Sequence, residues 1–256
     1  MKIKTGISVS LSLLALLLAA CQQEPADTTQ QGVKTSTGAT LLNFVEFEKS
    51  VEPYATRLIV TSKYMRFDDG EGSADFVLFD RQKHVIYSVN SAEETILAVH
   101  QKEIELNPPF ELKLTHTKLD NLKDAPTIAG KQAQHYQFST NGERCYDVIA
   151  VPGLMPDVVI ALREFSELLA SDSKVTFNTL PAELLKPCDI SMNTFAPGRH
   201  LEFGFPIQEW SMNGSGRSLL DYQLDYQPDQ ALFDLPQDYR QFTVQEFREG
   251  KVMQIE

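Results

Sequence analysis

Hydrophobic and polar positions divide the chain into three regimes. Ile7 to Leu18 is an almost unbroken apolar run, preceded by Lys2 and Lys4 and followed by the small residues Ala19 and Ala20. Gln22 to Thr40 is mostly Gln, Thr, Gly, Ser and Pro, which buries too little to fold and reads as a tether with a reach of about 25 Å. From Leu41 the pattern turns to short runs of β-formers at Leu42 to Phe47, Thr56 to Thr61, Lys63 to Phe67, Phe76 to Phe79, Val85 to Val89 and Thr95 to His100. Tight polar turns such as Asp68-Asp69-Gly70-Glu71-Gly72 separate them, the signature of an antiparallel meander.

After Asn107-Pro108-Pro109 the alternation resumes at Phe110 to Thr115. Gln132 to Thr140 and Glu143 to Val151 then flank Asn141-Gly142, the strongest hairpin signal in the chain. A two-residue turn pairs Thr140 with Glu143 and sets Phe138 opposite Cys145, so that Tyr136, Phe138, Cys145 and Ile149 share one face. Asp157 caps a run in which Val158, Ala161, Leu162, Phe165, Leu168 and Leu169 recur at helical spacing, a helix of about four turns. Leu180 to Lys186 reads as a second helical turn stopped by Pro187. Strands return at Arg199 to Trp210 and Arg217 to Tyr226, around the turn Asn213-Gly214-Ser215-Gly216, before a closing segment at Leu232 to Phe242.

Leu18-Ala19-Ala20-Cys21 resembles the lipobox of bacterial lipoproteins, in which a signal peptidase cleaves before the cysteine and lipid is attached to it. The resemblance implies a signal peptide over 1–20, an acylated (palmitate-type) anchor at Cys21, and a tether to residue 40. The apolar run is short for a membrane span of about 20 residues. In that family an aspartate after the cysteine favours the inner membrane. Gln22 therefore implies an outer-membrane anchor facing the periplasm, for a Gram-negative host. Charge changes the picture further: 35 acidic against 23 basic residues give a net charge of −12, and residues 1–20 contain no acid. Such a surface excludes nucleic acid as a partner and does not dock electrostatically on anionic lipid.

With Cys21 acylated, Cys145 and Cys188 remain. In an oxidising compartment they read as one disulfide, the alternative being two buried thiols. The bridge would close a loop of roughly forty residues and pin the helical segment onto the sheet.

Tyr64-Met65-Arg66-Phe67, Phe76 to Asp80 with Val85-Ile86-Tyr87, the Gly130 to Asp147 hairpin, Gly204-Phe205-Pro206-Ile207 and the ending Leu232-Phe233-Asp234-Leu235-Pro236-Gln237-Asp238-Tyr239 resemble periplasmic lipoproteins that are similar to the LolA/LolB-type carriers. Asp238 stands where their finish has glycine. The resemblance implies an incomplete antiparallel barrel around an apolar groove capped by helices, and a lipid or other acyl ligand. The family's groove is apolar in character and has no motif, so no ligand-binding residue carries over.

Candidate chemistry is sparse. Ser215 lacks the first glycine of a nucleophile elbow and sits in a hairpin turn. His84, His100, His116, His135 and His200 show no metal-ligand spacing, and the Asp68 to Gly72 turn does not match a calcium loop. The sequence therefore predicts a mainly β (α+β) fold, an incomplete antiparallel β-barrel over 41–256 with a short helical insert near 156–187. It predicts no catalytic residue, metal or cofactor. The expected function is a non-enzymatic binding module for a hydrophobic ligand; the alternative is an envelope interaction or assembly factor with a filled core and a protein partner.

Overall fold

The computed structural model describes residues 38–251 except 73, 123, 126, 178–179 and 182–183. The expected signal peptide, Cys21 and nearly all of the expected tether lie outside the described residues.

Two meanders make one unclosed sheet. The first contributes β1 (Ala39–Phe47), β2 (Tyr54–Val60), β3 (Tyr64–Asp68), β4 (Phe76–Asp80), β5 (Val85–Asn90) and β6 (Thr95–His100). The second contributes β7 (Leu114–Leu119), β8 (Gln134–Thr140), β9 (Glu143–Val151), β10 (Phe205–Ser211) and β11 (Gly216–Tyr226). They join through β1 and β11, from Ala39 opposite Tyr226 to Phe47 opposite Gly216. A last strand, β12 (Arg240–Thr243), runs parallel to β6 and covers that edge, completing a 12-stranded sheet in the order β12-β6-β5-β4-β3-β2-β1-β11-β10-β9-β8-β7. The turn spacing predicts the antiparallel meanders, and the incompletely closed, mainly β architecture is the one that the resemblance implies.

Helix α1 (Pro156–Phe177) is inserted between β9 and β10. It has 22 residues, longer than the expected four turns, and in its last two turns the Ser171 and Ser173 hydroxyls donate back to the Leu168 and Leu169 carbonyls. Asp157 lies in its first turn and Lys174 in its last, both favourable to the helix dipole. Val158, Ala161, Leu162 and Leu168 are buried against Leu42, Phe44, Leu58, Met65, Phe79 and Ile86 of the first meander. The apolar face of that meander is thus covered by the chain's own helix. A second cluster, with Ile59, Leu78, Tyr87 and Ile96, is covered by the segment carrying Phe233, whose ring stacks on Tyr64 at 5.3 Å.

Two local expectations are corrected. Asn141 and Gly142 adopt φ of 53° and 84° and Thr140 faces Glu143 as expected, but the hairpin is bulged between Phe138 and Ser139. Phe138 therefore faces Tyr146, not Cys145, and Ile149 leaves the predicted face to pack with the α1 core. Pro187 does not stop a helix; it starts α2 (Pro187–Ile190), because a residue without an N–H fits a first turn. Cys188 inside α2 bonds to Cys145, with Cα atoms 5.2 Å apart. A π-helical turn at Ser191–Phe195 and a 3₁₀ turn at Arg199–Phe203 follow; the latter replaces the first half of the strand expected from Arg199.

Candidate functional site

Beside α1, the β10–β11 hairpin leaves a groove of two connected hollows. One, of about 200 Å³, is lined by Tyr146, His200, Trp210 and Ser211; the other, of about 340 Å³, by Phe47, Phe67, Phe165, Leu169 and Arg217, together with the carboxylates Glu46 and Glu48. Glu209, Ser215 and Gly216 belong to both and form the partition. Gly216 is required there, since a Cβ would lie 2.4 Å from the Glu209 carbonyl oxygen and 2.6 Å from the Phe47 ring. Leu169, expected in the buried stripe, is 40 % exposed and forms the open lip of the apolar hollow. Phe165 forms its floor, 5.2 Å from the Phe67 ring and 5.8 Å from that of Phe79.

The partition is charged. Glu209 and Arg217 are cross-strand partners, with Nε of Arg217 2.7 Å from Oε1 of Glu209, a contact in which the N–H is not aligned with the oxygen. The Nε2 of His200 lies 3.3 Å from the other carboxylate oxygen. Burial opposes ionisation of Glu209, but the charges of Arg217 and His200 outweigh it and hold the carboxyl below its usual range. Burial pushes the His200 imidazole down, with Glu209 pulling the other way and the Arg217, Arg199 and Arg163 charges adding to the fall. At neutral pH the partition is a carboxylate between a guanidinium and a neutral imidazole. Behind it Tyr146 stacks on Phe138 at 4.7 Å and accepts a hydrogen bond from Nε of Arg199 at 3.3 Å. Burial pushes its phenol up to about 12 despite Arg199.

Two serines, Ser211 and Ser215, line the hollow beside this trio. Ser215 donates its hydroxyl to Oδ1 of Asn213 at 2.8 Å and lies 2.8 Å from Oγ of Ser211, so it closes its own turn. The remaining histidines are dispersed. His84 sits in a turn with φ 52°, His100 ends β6, and His116 packs 4.7 Å from Phe203. His135 is held between Asn121 at Nδ1 and Asp147 at Nε2, 3.0 Å, so neither ring nitrogen is available as a base. In the acidic turn, Asp68 is committed to Arg57 and Arg66 at 2.7 and 2.6 Å. Among the described residues no group of three or more His, Cys, Asp and Glu could hold a metal.

Nothing in the sequence marks Glu209, Arg217 and His200 as a unit. Counting outward from the Asn213 to Gly216 turn pairs Met212 with Arg217 and Glu209 with Leu220, whereas the structure sets Glu209 opposite Arg217; His200 arrives from the 3₁₀ turn, which has no periodic signature.

No family model and no curated relative matches the chain. Solved structures resemble it at a distance. One is an uncharacterised conserved protein from Thermus thermophilus, at a TM-score of 0.41 and 7% identity, covering 81% of this chain and 91% of that one. PNGF-II, in two crystal forms, gives TM-scores of 0.40 and 0.39 at 9% identity, covering 83% and 84% of this chain. The match spans about a third of PNGF-II, 32% and 34% of the two chains. Likenesses this distant assign this chain neither a ligand nor an activity.

Proposed function

We propose that the protein is a non-enzymatic binding module, lipid-anchored through Cys21 to the periplasmic side of an outer membrane, that holds an amphipathic ligand in the groove beside α1. The observation that supports this reading is a hollow with Phe47, Phe67, Phe165 and Leu169 on its wall, rimmed by Glu46 and Glu48, beside a charged partition at Glu209 and Arg217. An acyl chain lies over the rings, and its polar end meets the Arg217 guanidinium. A volume of about 340 Å³ falls at the lower end of ligand sites, roughly 300–1,000 Å³, which suits one chain and not a multi-chain lipid.

The test is a soluble Cys21→Ala form purified without detergent and titrated with oleate under native mass spectrometry. One oleate per chain, lost in Leu169→Glu, is the expected outcome. No adduct at any oleate concentration below its micelle threshold sinks the reading. The second reading, an envelope interaction factor, is favoured by α1 filling the apolar face of the first meander, which leaves the rim and the strand edges for partners.

A further inference from the structure

The sheet splits between β10 and β11. Their ladder has three pairs, Gln208 with Ser218, Glu209 with Arg217 and Trp210 with Gly216, although β11 continues to Tyr226. The cause lies in β10. Had the pairing gone on, Pro206 would face Leu220, and proline offers no N–H to a ladder. The register to β9 also slips between Pro206 and Gln208, a bulge at Ile207 that bends β10 away. Between Leu219 and Gln223, among the described residues, β11 is paired with β1 at Leu219, Asp221, Tyr222 and Gln223, Leu220 and Leu224 being left out at two register shifts, and it has no ladder on the other side.

That side opens on a cleft of about 470 Å³, walled by Ile128, Ile207, Leu219 and Tyr222. The strand presents Leu220 and Leu224 at 62% and 54% exposure, an unusual cost for an edge unless something covers it. Asp221, which accepts from Nδ2 of Asn43 at 2.6 Å, lies in the same stretch of a chain whose net charge is −12.

We propose that this edge accepts an extended strand of a partner protein in which apolar residues alternate with lysine or arginine. The guest's backbone completes the β11 ladder, its apolar side chains enter the cleft beside Ile207 and Tyr222, and its cations lie beside Asp221. The site is separate from the groove beside α1, so failure of one leaves the other standing.

Amide exchange on the full chain, in detergent micelles, tests the proposal. Alternate amides between Leu219 and Leu224 exchange at least 100-fold faster than those of β4, which is paired on both sides. A capped peptide of about eight residues alternating valine and lysine slows them at least tenfold, whereas the valine–glutamate counterpart does not. Leu220→Lys with Leu224→Lys, both at exposed positions, abolishes the effect while leaving β4 exchange unchanged. The proposal is overturned if these amides are already protected, whether in a concentration-dependent dimer or by a segment whose deletion (residues 22–36) releases them. It is equally overturned if they exchange freely and the lysine peptide does not slow them.

Discussion

Breaking the Cys145–Cys188 bond tests how the helical insert is held. The bond spans 43 residues, and the loop so closed contains all of α1 and reaches back to the bulge in β9. On the chain-entropy estimate, freeing such a loop in the unfolded chain lowers stability by about 4 kcal/mol. In a domain of this size that corresponds to a fall in Tm of about 8–16 °C. The native side of the balance changes little, because α1 is buried against the first meander through Leu162 and Leu168 and does not depend on the bond for its seat. Only α2 and the aromatic cluster of Tyr136, Phe138 and Tyr146 lose a direct tie. The double variant Cys145→Ala/Cys188→Ala and the oxidised protein would be compared by urea unfolding followed at the single tryptophan, Trp210. A loss below about 1 kcal/mol, with an unchanged denaturant slope, would refute the loop-closure reasoning. A steeper slope follows from the more exposed unfolded chain, whereas a shallower one would mean that α2 detaches separately and that the transition is no longer two-state.

Three further outcomes are expected. Phe165→Ala costs about 3 kcal/mol by removing the ring between Phe67 and Phe79, whereas Leu169→Glu, on the open lip, stays within about 0.5 kcal/mol; urea midpoints separate the two. Burial opposes ionisation of Asp68, but hydrogen bonds from Arg57 and Arg66 prevail and hold its carboxyl below the ordinary 3.8. The folded state thus binds the proton less readily than the unfolded chain, so this stability is complete above about pH 4 and lost as pH falls through the lowered pKa. Asp68→Asn flattens that acid limb in chemical denaturation at stepped pH. The His200 imidazole, pushed below 6.5 by burial, gives a stability contribution that is full above that pH and declines below it. Its proton NMR titration midpoint lies below 6.5, and an unshifted midpoint contradicts the assignment.

Much of the sheet was legible because strands with one buried face alternate, and turns built on Asn-Gly or Asp-Gly announce themselves. Asn141-Gly142 located β8 and β9, and the cysteine count led to the bond that the structure contains. What escaped notice has a common physical character. The bulge beside Phe138 inserts one residue without changing any composition, yet it moves Ile149 to another face. Pro206 stood inside an expected strand, and its consequence, the split from β11, depends on which strand lies beside it. The Glu209–Arg217–His200 trio combines a hairpin with a 3₁₀ turn, a meeting set by tertiary packing. Leu169 fits the helical stripe by spacing but turns outward at the groove, where the β10–β11 hairpin does not reach over it.

The position of β1 carries a mechanical consequence. The described chain enters the molecule at its N-terminal side through Ala39, and β1 is bonded along nearly its whole length to β2 and to β11. Ladder hydrogen bonds lie across the strand direction, so a pull along β1 loads both rows at once, in shear. An outermost strand such as β7 would instead peel one bond at a time. Tension applied at the N-terminal end of β1 is therefore met where the described sheet resists it best, and the two meanders are clamped together by the strand that takes the load.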